Sequence, residues 1–423
     1  MALFSIGNPV PFQQQIIMPT IHQRPFRVAI RRFDPFEAAI KKQWNSFSQA
    51  SGCTAKLEVE SFDLHPLHET LLEKEGMKRG DWDVALIVTD WLAEADETGA
   101  LHDLTPYISK NPPDNFPDGW SPSLLQMQDF SGRVLALPYH DGPECLIYRK
   151  DIFEKTGAAI PRTWLEFHET ARRLHHPEKN LFGTVFAGFP DGHNTLYDFC
   201  IQLWTRGGEL FDSRGALMLN TPEVREALEY YRMILSDPTA VHPRSHEFDS
   251  VQSGLAFARG EVAMMVNWFG FAAMCETLTD SPLRGKVEIA PIPSVIGVAS
   301  ASLNVYWLLA IGAGCKNPGL AYEFIRHCLR PDMDKLLALE GAIGCRKSTW
   351  ADPEVNLVIP FYHRLASLHG NARELPRRSD WSQIAQGIDT MITRAVNSSV
   401  GIPELIQETE SCFKSLGNTL KIR

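Results

Sequence analysis

The sequence predicts an α/β protein with two lobes, in which two open sheets are joined by strands that cross from one lobe to the other. Three observations lead to this prediction. The chain has 423 residues, which is enough for two or three domains. Short apolar strands alternate with helices along most of it, a pattern typical of open sheets flanked by helices. The pair Gly142-Pro143 interrupts an extended stretch between Arg133 and Tyr148, which indicates either a kink or a crossing between sheets.

The alternation of strands and helices begins near residue 26. We predict strands over Phe26–Ile30, Leu57–Val59 and Val84–Val88. Between the first two, Phe36–Ser51 has apolar residues at helical spacing and is predicted to be a helix. Three strands with their helices within about 90 residues have roughly the spacing that is usual in a parallel sheet.

Helix-capping patterns place two further helices. Thr163 precedes a helix that ends near Leu174, and Glu166 completes a capping box with it. The helix Pro222–Leu235 has Thr221 as its cap. The remaining predicted elements are the strands Arg133–Leu137, Glu144–Tyr148, Val262–Val266, Val287–Pro293 and Ser302–Ile311 and the helices Asn317–Arg330, Trp381–Asn397 and Ile402–Leu416.

These elements suggest how the chain is divided. We expect residues 1–25 to be a leader segment. The N-terminal lobe is predicted to comprise residues 26–141 plus 291–330, and the C-terminal lobe residues 142–290 plus 331–423, with a helical C-terminus.

Composition excludes several classes of protein. The net charge of −10 argues against a nucleic-acid partner, because such binding requires clustered Lys and Arg. No window approaches the roughly 18 apolar residues of a membrane span. The eight cysteines form no C-x-x-C pair, so we predict buried thiols and neither a zinc site nor a redox motif. No cofactor or metal is expected.

Seven sequence blocks occur in the order and at the spacing of a known family. The strongest three are Gly132–Tyr139, Leu146–Phe153 and Pro161–Phe167. The others are Asp83–Ile108, Leu203–Asp212, Phe257–Met264 and Ala290–Pro293. With these blocks the chain, from about Phe26 to Leu420, resembles the extracellular solute-binding proteins of ABC importers, of the maltose-binding-like type.

The resemblance implies a periplasmic-binding-protein-like fold and a function. Such a protein captures a small polar solute by hinge closure and delivers it to the membrane permease subunits of an ABC importer. A mono- or oligosaccharide is the implied ligand, catalysis is not expected, and we expect a monomer. The resemblance also implies a periplasmic or cell-surface location. Residues 1–25 lack the basic head and apolar run of an export signal, which leaves a cytoplasmic location open.

Polar and aromatic residues follow the predicted strands where a cleft between the lobes would lie. Aromatic faces suit the C–H surfaces of a sugar, and carboxylates and amides suit its hydroxyls. The candidate ligand-binding residues are Arg32, Phe33, Asp34, Asp90, Trp91, Tyr139, His140, Asp141, Glu144, His193, Asn194, Tyr197, Trp268, Phe269, Asn304, Tyr306, Trp307 and Arg346. The bulky Val305-Tyr306 pair departs from the small residues frequent in the family, so the resemblance does not identify the ligand.

Other functions stay open at this point. The protein could be a sensor or interaction protein that retains the binding fold, or it could bind an anionic solute, a polyol or an amino acid. An enzyme is a further alternative, because His65 and His68 lie near Glu60 and Asp63. The spacing of these residues is loose, however, and no hydrolase, P-loop or dinucleotide motif accompanies them.

Overall fold

The protein is described by a computed structural model that covers residues 24–420. Residues 1–23 of the predicted leader lie outside this range. The strands are β1 Phe26–Arg31, β2 Leu57–Phe62, β3 Val84–Val88, β4 Asp129–Phe130, β5 Arg133–Val134, β6 Ala136–His140, β7 Glu144–Arg149, β8 Met264–Trp268, β9 Val287–Ala290, β10 Ser302–Leu303, β11 Trp307–Ile311 and β12 Ala372–Arg373.

The α-helices of the described range are α1 Asp34–Ser51, α2 Leu64–His68, α3 Gly76–Arg79, α4 Leu92–Thr98, α5 Thr105–Lys110, α6 Lys150–Thr156, α7 Trp164–Arg173, α8 Asn194–Trp204, α9 Pro222–Leu235, α10 Ser250–Ala258, α11 Phe269–Thr277, α12 Pro318–Cys328, α13 Pro331–Leu339, α14 Lys347–Trp350, α15 Pro353–Val358, α16 Leu365–His369, α17 Trp381–Asn397 and α18 Ile402–Leu420. Between residues 24 and 420, no helix has both the length and the hydropathy needed to cross a bilayer.

The first sheet has five strands in the order β2-β1-β3-β11-β6. Strand β1 is parallel to β2 and β3, whereas β11 is antiparallel to β3 and β6. Helix α1 packs against β2, α12 and α13. In the core of this layer, the ring of Trp44 stacks on Phe26 at 4.7 Å and meets the edge of Phe324 at 5.0 Å. The predicted parallel unit at the N-terminus is therefore confirmed, and a returning antiparallel strand completes the sheet.

The chain then crosses to a second sheet directly after β6. Strand β6 belongs to the first sheet, and β7, which begins after three intervening residues, is the central strand of an antiparallel sheet in the order β8-β7-β9. The return crossing lies between β9 and β11. The predicted crossing at Gly142-Pro143 is confirmed, and Gly142 has a φ of 141°, which a residue with a side chain rarely adopts.

Helices cover the second sheet and form the C-terminus. Helices α10 and α11 pack on β8 and β9, and α17 packs against α8, α9 and α18. The predicted caps are present. The Thr163 hydroxyl accepts a hydrogen bond from the Glu166 amide, and the Glu166 carboxylate accepts one from the Thr163 amide. The hydroxyl of Thr221 accepts one from the amide of Val224.

Several predicted strands have different bounds in the structure, and the one predicted over Arg133–Leu137 is divided between β5 and β6. The stretch Ser302–Ile311 is not one strand, because Asn304–Tyr306 separates β10 from β11, and the Asn304 amide group donates to the carbonyl of Ser123. Strand β9 ends at Ala290 because the prolines that follow it have no amide hydrogen to donate. Strand β8 begins at Met264, since Val262 pairs with Phe182 outside the sheet.

Candidate functional site

The facing edges of the two sheets form a cleft. In the first sheet this edge contains the ends of β1, β3 and β6 and the start of β11, where Trp307 pairs with Val88 and His140. In the second sheet it contains the end of β8 and the start of β7, where Trp268 pairs with Glu144. Side chains that follow these strand ends therefore converge on the space between the sheets.

Six rings surround this space, and we call them the aromatic shell: Phe33, Trp91, His140, Tyr197, Trp268 and Trp307. Trp91 and Trp307 meet edge to face at 5.9 Å, and Tyr197 meets Trp268 in the same way at 6.0 Å. Phe33 lies 6.3 Å from His140. Burial lowers the pKa of His140 to about 4, so its imidazole is neutral at physiological pH. Trp91 and Tyr197 are buried, whereas Phe33, His140, Trp268 and Trp307 are half-buried, and half-buried rings offer flat apolar faces to a ligand.

A hydrogen bond joins the two sides of the cleft beside the aromatic shell. Asp90 follows β3 in the first sheet, and its Oδ2 accepts a hydrogen bond of 2.6 Å from the hydroxyl of Tyr197 on α8. The same hydroxyl lies 2.7 Å from Nε2 of His193. Burial, followed by the nearby Asp90, raises the pKa of Tyr197 well above its ordinary value, so the phenol keeps its proton and acts as the donor. The structure therefore shows the cleft in a closed arrangement.

A cavity of about 570 Å³ lies beside this link, within the size range of small-molecule sites. We call it the cleft cavity. Its lining comes from both sides of the cleft, and most of the side chains are polar. The lining residues are Leu64, His65, His68, Glu73, Asp90, Trp91, Glu94, Pro190, Asp191, Gly192, His193, Arg378, Ser379, Trp381, Ser382, Gln383, Ala385, Gln386, Asp389, Thr390, Thr393 and Arg394.

Three buried carboxylate oxygens at the cleft accept no hydrogen bond from any residue that the structure describes. They are Oδ1 of Asp90, Oε2 of Glu144 and Oδ1 of Asp389. A buried acceptor without a donor costs about 1–3 kcal/mol. These oxygens are consequently suited to receive donors from a bound molecule, such as hydroxyl groups.

Two acids share a proton on the second side of the cleft. The carboxyl of Glu144 is hydrogen-bonded to that of Asp198 on α8. Burial raises the pKa of both groups, that of Asp198 to about 8 and that of Glu144 well above its ordinary value. Two carboxyl groups can form a hydrogen bond only if one of them keeps its proton. The shared proton lies between the two carboxyls, so the pair presents free acceptor oxygens next to Trp268, the cross-strand neighbour of Glu144.

Several predicted residues lie in the interior, away from the cleft. The Tyr139 hydroxyl donates to Gln43, the Phe269 ring packs on Phe361 and Tyr362, and the Tyr306 hydroxyl donates to Gln128. All three side chains are buried. They are corrected to core positions, because a side chain that is enclosed by the protein's own groups cannot contact a solute.

Arg346 is a further correction. Its guanidinium donates to the carbonyls of Leu329 and Asp114 and lies 4.3 Å from the centre of the Trp120 ring. The residue is only 1% exposed. Arg346 therefore stabilises a part of the interior, and the predicted role in ligand binding is wrong because the guanidinium is enclosed by the protein and two of its three nitrogens donate to backbone carbonyls.

Four other predicted residues interact with groups of the protein itself. Asp141 accepts a bond of 2.6 Å from His369 at the crossing, and Asn194 bonds to Asp191 at the start of α8. The side chain of Asn304 donates to the carbonyl of Ser123. Arg32 lies 3.7 Å from Asp63 at the exposed rim of the cleft. Asp34 is also exposed, in the first turn of α1.

The histidines considered as metal ligands have other partners. His68 lies between Glu94 and Glu73, at 2.8 and 3.1 Å, and its ring meets the edge of Trp91. Burial lowers the pKa of His68, but the two glutamates outweigh this effect and raise it overall. Over residues 24–420, no group of three or more His, Cys, Asp or Glu side chains is placed to hold a metal ion.

Several acids at the cleft were not among the predicted binding residues, namely Glu73, Glu94, Asp191, Asp198 and Asp389. Asp198 and Asp389 are both on helices, and from the sequence a helical acid within an apolar face cannot be distinguished from a solvated one. One indication was available for Asp198, since it directly follows Tyr197 and therefore belongs to the turn of α8 that faces the cleft.

A two-lobed binding protein is the class that this fold and cleft define. The family model of bacterial extracellular solute-binding proteins matches residues 68–335, and the chain belongs to this family. A probable ABC transporter-binding protein of Deinococcus radiodurans is 24% identical over 362 residues, 83% of this chain and 84% of the relative. The mannitol-binding protein of Pseudomonas aeruginosa is 26% identical over 274 residues, 63% and 62% of the two chains.

Solved structures show the same fold. A maltose-bound MalE3 of T. maritima has a TM-score of 0.83 at 23% identity, with 93% of this chain and 99% of that chain covered. A solute-binding protein of Agrobacterium radiobacter in complex with ribitol has a TM-score of 0.82 at 26% identity, with 93% and 98% covered. These structures share the fold of this family of solute-binding proteins, and the predicted fold class is confirmed.

Proposed function

We propose that this protein captures a sugar or a polyol in the cleft between its sheets and delivers it to the permease subunits of an ABC importer. The observation that supports this most directly is the closed link between Asp90 and Tyr197, which lies between an aromatic shell and buried carboxylate oxygens without donors. Rings that cover C–H surfaces, together with acceptors for several hydroxyls, match a polyhydroxylated compound.

The proposed ligand contacts are fewer than the residues predicted from the sequence. They comprise the aromatic shell with Asp90, Glu144 and His193, and Asp198 and Asp389 are added. Relatives with mannitol, ribitol or maltose in their names support the class of ligand. An anionic solute is disfavoured because Arg346 is occupied in the interior and Arg32 lies at the rim beside Asp63.

The remaining expectations belong to the same proposal. We propose that the protein is not an enzyme and acts outside the cytoplasmic membrane, as its family does. The lobes are proposed to divide near residues 141 and 290. Helix α13 packs on α1 of the first lobe, and the Gln43 amide donates to the carbonyl of Met333 on α13. This contact supports an N-terminal lobe that extends beyond residue 330.

A ligand screen tests the proposal. Mannitol, ribitol, sorbitol, glucose and maltose are added to the purified protein, and the melting temperature is measured with each. Compounds that raise the melting temperature are then examined by titration calorimetry. A ligand at 100 times its dissociation constant stabilises the folded state by about 2.7 kcal/mol. At least one neutral sugar or polyol is expected to bind with a stoichiometry of one. Binding only of carboxylates or phosphates, or turnover of the added compound, would contradict the proposal.

A further inference from the structure

The cleft cavity has an excess of negative charge. Five carboxylates line it: Glu73, Asp90, Glu94, Asp191 and Asp389. Two arginines also line it, but both are paired with acids outside the lining. Arg378 forms two bonds with Asp380, at 2.7 and 2.8 Å, and Arg394 is bonded to Glu408. The charge of neither arginine is thus free to balance the acids of the cavity.

The histidines of the lining do not change this balance. Burial lowers the pKa of His193 despite the nearby Asp90 and Asp191, so its ring is neutral at physiological pH. His68 already bonds to Glu94 and Glu73, and a positive charge on its ring is therefore balanced by those two glutamates. His65 is an exposed residue at the mouth of the cavity.

Two of the acids have a bare oxygen in a nearly dry environment. Asp389 is 5% exposed and Asp90 is 8% exposed. Oδ1 of each accepts no hydrogen bond from any side chain or amide of residues 24–420. They lie on opposite sides of the cavity, since Asp90 follows β3 and Asp389 is on α17. Burial raises the pKa of Asp389 to about 6, against a smaller lowering by the amide of Gly192, and the negative charge of Asp191 raises it further.

We propose that the cleft cavity receives a protonated amino group of the solute, so that the preferred ligand is an amine-bearing polyhydroxylated compound, such as an amino alditol or an amino sugar. This inference rests on the proposed function, and it specifies the class of ligand. A primary ammonium group supplies three donors and one positive charge, whereas a hydroxyl supplies one donor and no charge. An ammonium group that donates to either bare oxygen also adds a positive charge against the acids of the lining, whereas a hydroxyl adds only a donor.

Matched pairs of ligands isolate the contribution of the amine. Titration calorimetry at pH 7.5 compares D-glucamine with sorbitol and D-glucosamine with glucose, and N-acetylglucosamine serves as a compound in which the amine is blocked. In at least one pair the amine is expected to bind about tenfold more tightly than its neutral partner, because a charge pair forms in a partly dehydrated site. The preference should decrease when sodium chloride is raised from 0.05 to roughly 0.5 M, since salt screens such a pair.

A variant locates the effect. In Asp389→Asn, the ratio of the two dissociation constants is expected to fall to about one, because the amine loses more affinity than its neutral partner when the negative charge is removed. Asp280→Asn, an exposed acid of the second lobe, is the matched control and should leave the ratio unchanged. If Asp389→Asn does not fold, the dependence on salt in the unaltered protein decides the question.

The outcomes separate the two proposals. Neutral partners that bind as tightly as the amines, or more tightly, would overturn this inference and leave the proposed function intact. A preference for the amine that persists in Asp389→Asn, or that does not respond to salt, would also overturn it. If none of the neutral or amine compounds binds, the proposed function fails together with the inference.

Discussion

Removal of one hydroxyl, in Tyr197→Phe, should selectively weaken the closed state of the cleft. The hydroxyl of Tyr197 donates to Oδ2 of Asp90 across the cleft at 2.6 Å. In an open cleft both groups would be hydrated, so the substitution costs little there. In the closed cleft it leaves a second oxygen of Asp90 without a donor, and hydrogen bonds to charged groups contribute about 1.5–3 kcal/mol.

This energy sets the expected change in affinity. A ligand that binds by closing the cleft loses the same free energy, and about 1.5–3 kcal/mol corresponds to a dissociation constant roughly 10 to 150 times larger. Titration calorimetry with the best neutral ligand measures this constant. Small-angle scattering should also show a larger radius of gyration for ligand-free Tyr197→Phe than for the unaltered protein, because more molecules are open.

The control removes a comparable bond within one lobe. In Tyr322→Phe the lost hydrogen bond, of 2.7 Å to the carbonyl of Asn111, does not span the cleft. This variant should lose stability but bind the ligand normally. A double-mutant cycle with Asp90→Asn is expected to give a coupling energy of about 1 kcal/mol or more between the two residues. The reasoning is refuted if Tyr197→Phe binds within twofold of the unaltered protein, or if the cycle shows no coupling.

Three further predictions separate the site from its scaffold. In Trp268→Ala, calorimetry should show at least about tenfold weaker ligand binding with a small change in melting temperature, whereas Trp164→Ala should lose about 3–5 kcal/mol in urea unfolding because that ring is buried. In Arg346→Met, the free energy of unfolding measured in urea should fall by about 2–4 kcal/mol, because two buried carbonyls lose their donor. The affinity for the ligand should be unchanged. The folded-state pKa of Asp198, about 8, lies above its ordinary 3.8, so its contribution to stability falls as pH rises through that window. Asp198→Asn should therefore melt at a higher temperature than the unaltered protein at pH 8, and differ little from it at pH 4, in scans with Glu144 intact.

Most elements of the fold were predictable because their determinants are local. The periodicity of α1, the capping box at Thr163 and the crossing at Gly142 each depend on residues a few positions apart, and the structure confirms all three. The strand predicted over Ser302–Ile311 was wrong because its interruption depends on the distant Ser123, whose carbonyl accepts from Asn304. No pattern near residue 304 contains that information.

The candidate site was predictable only as a region. Trp268 and Trp307 follow strand ends, so their place at the cleft follows from the order of the strands. Arg346 was misplaced because two carbonyls, 17 and 232 residues away in the chain, meet at its guanidinium. The charge of a side chain predicts that it needs partners, but it does not indicate whether the protein or a ligand provides them.

The sequence by itself determined that the chain forms two sheets connected by crossings, because apolar periodicity, caps and proline or glycine breaks act over a few residues. The tertiary structure alone decided that Asp90 meets Tyr197, 107 residues away, and that Asp389 faces the same cavity. The physical reason is burial. The closed cleft removes water from these groups, and only the folded chain decides which acids lose their water without gaining a donor.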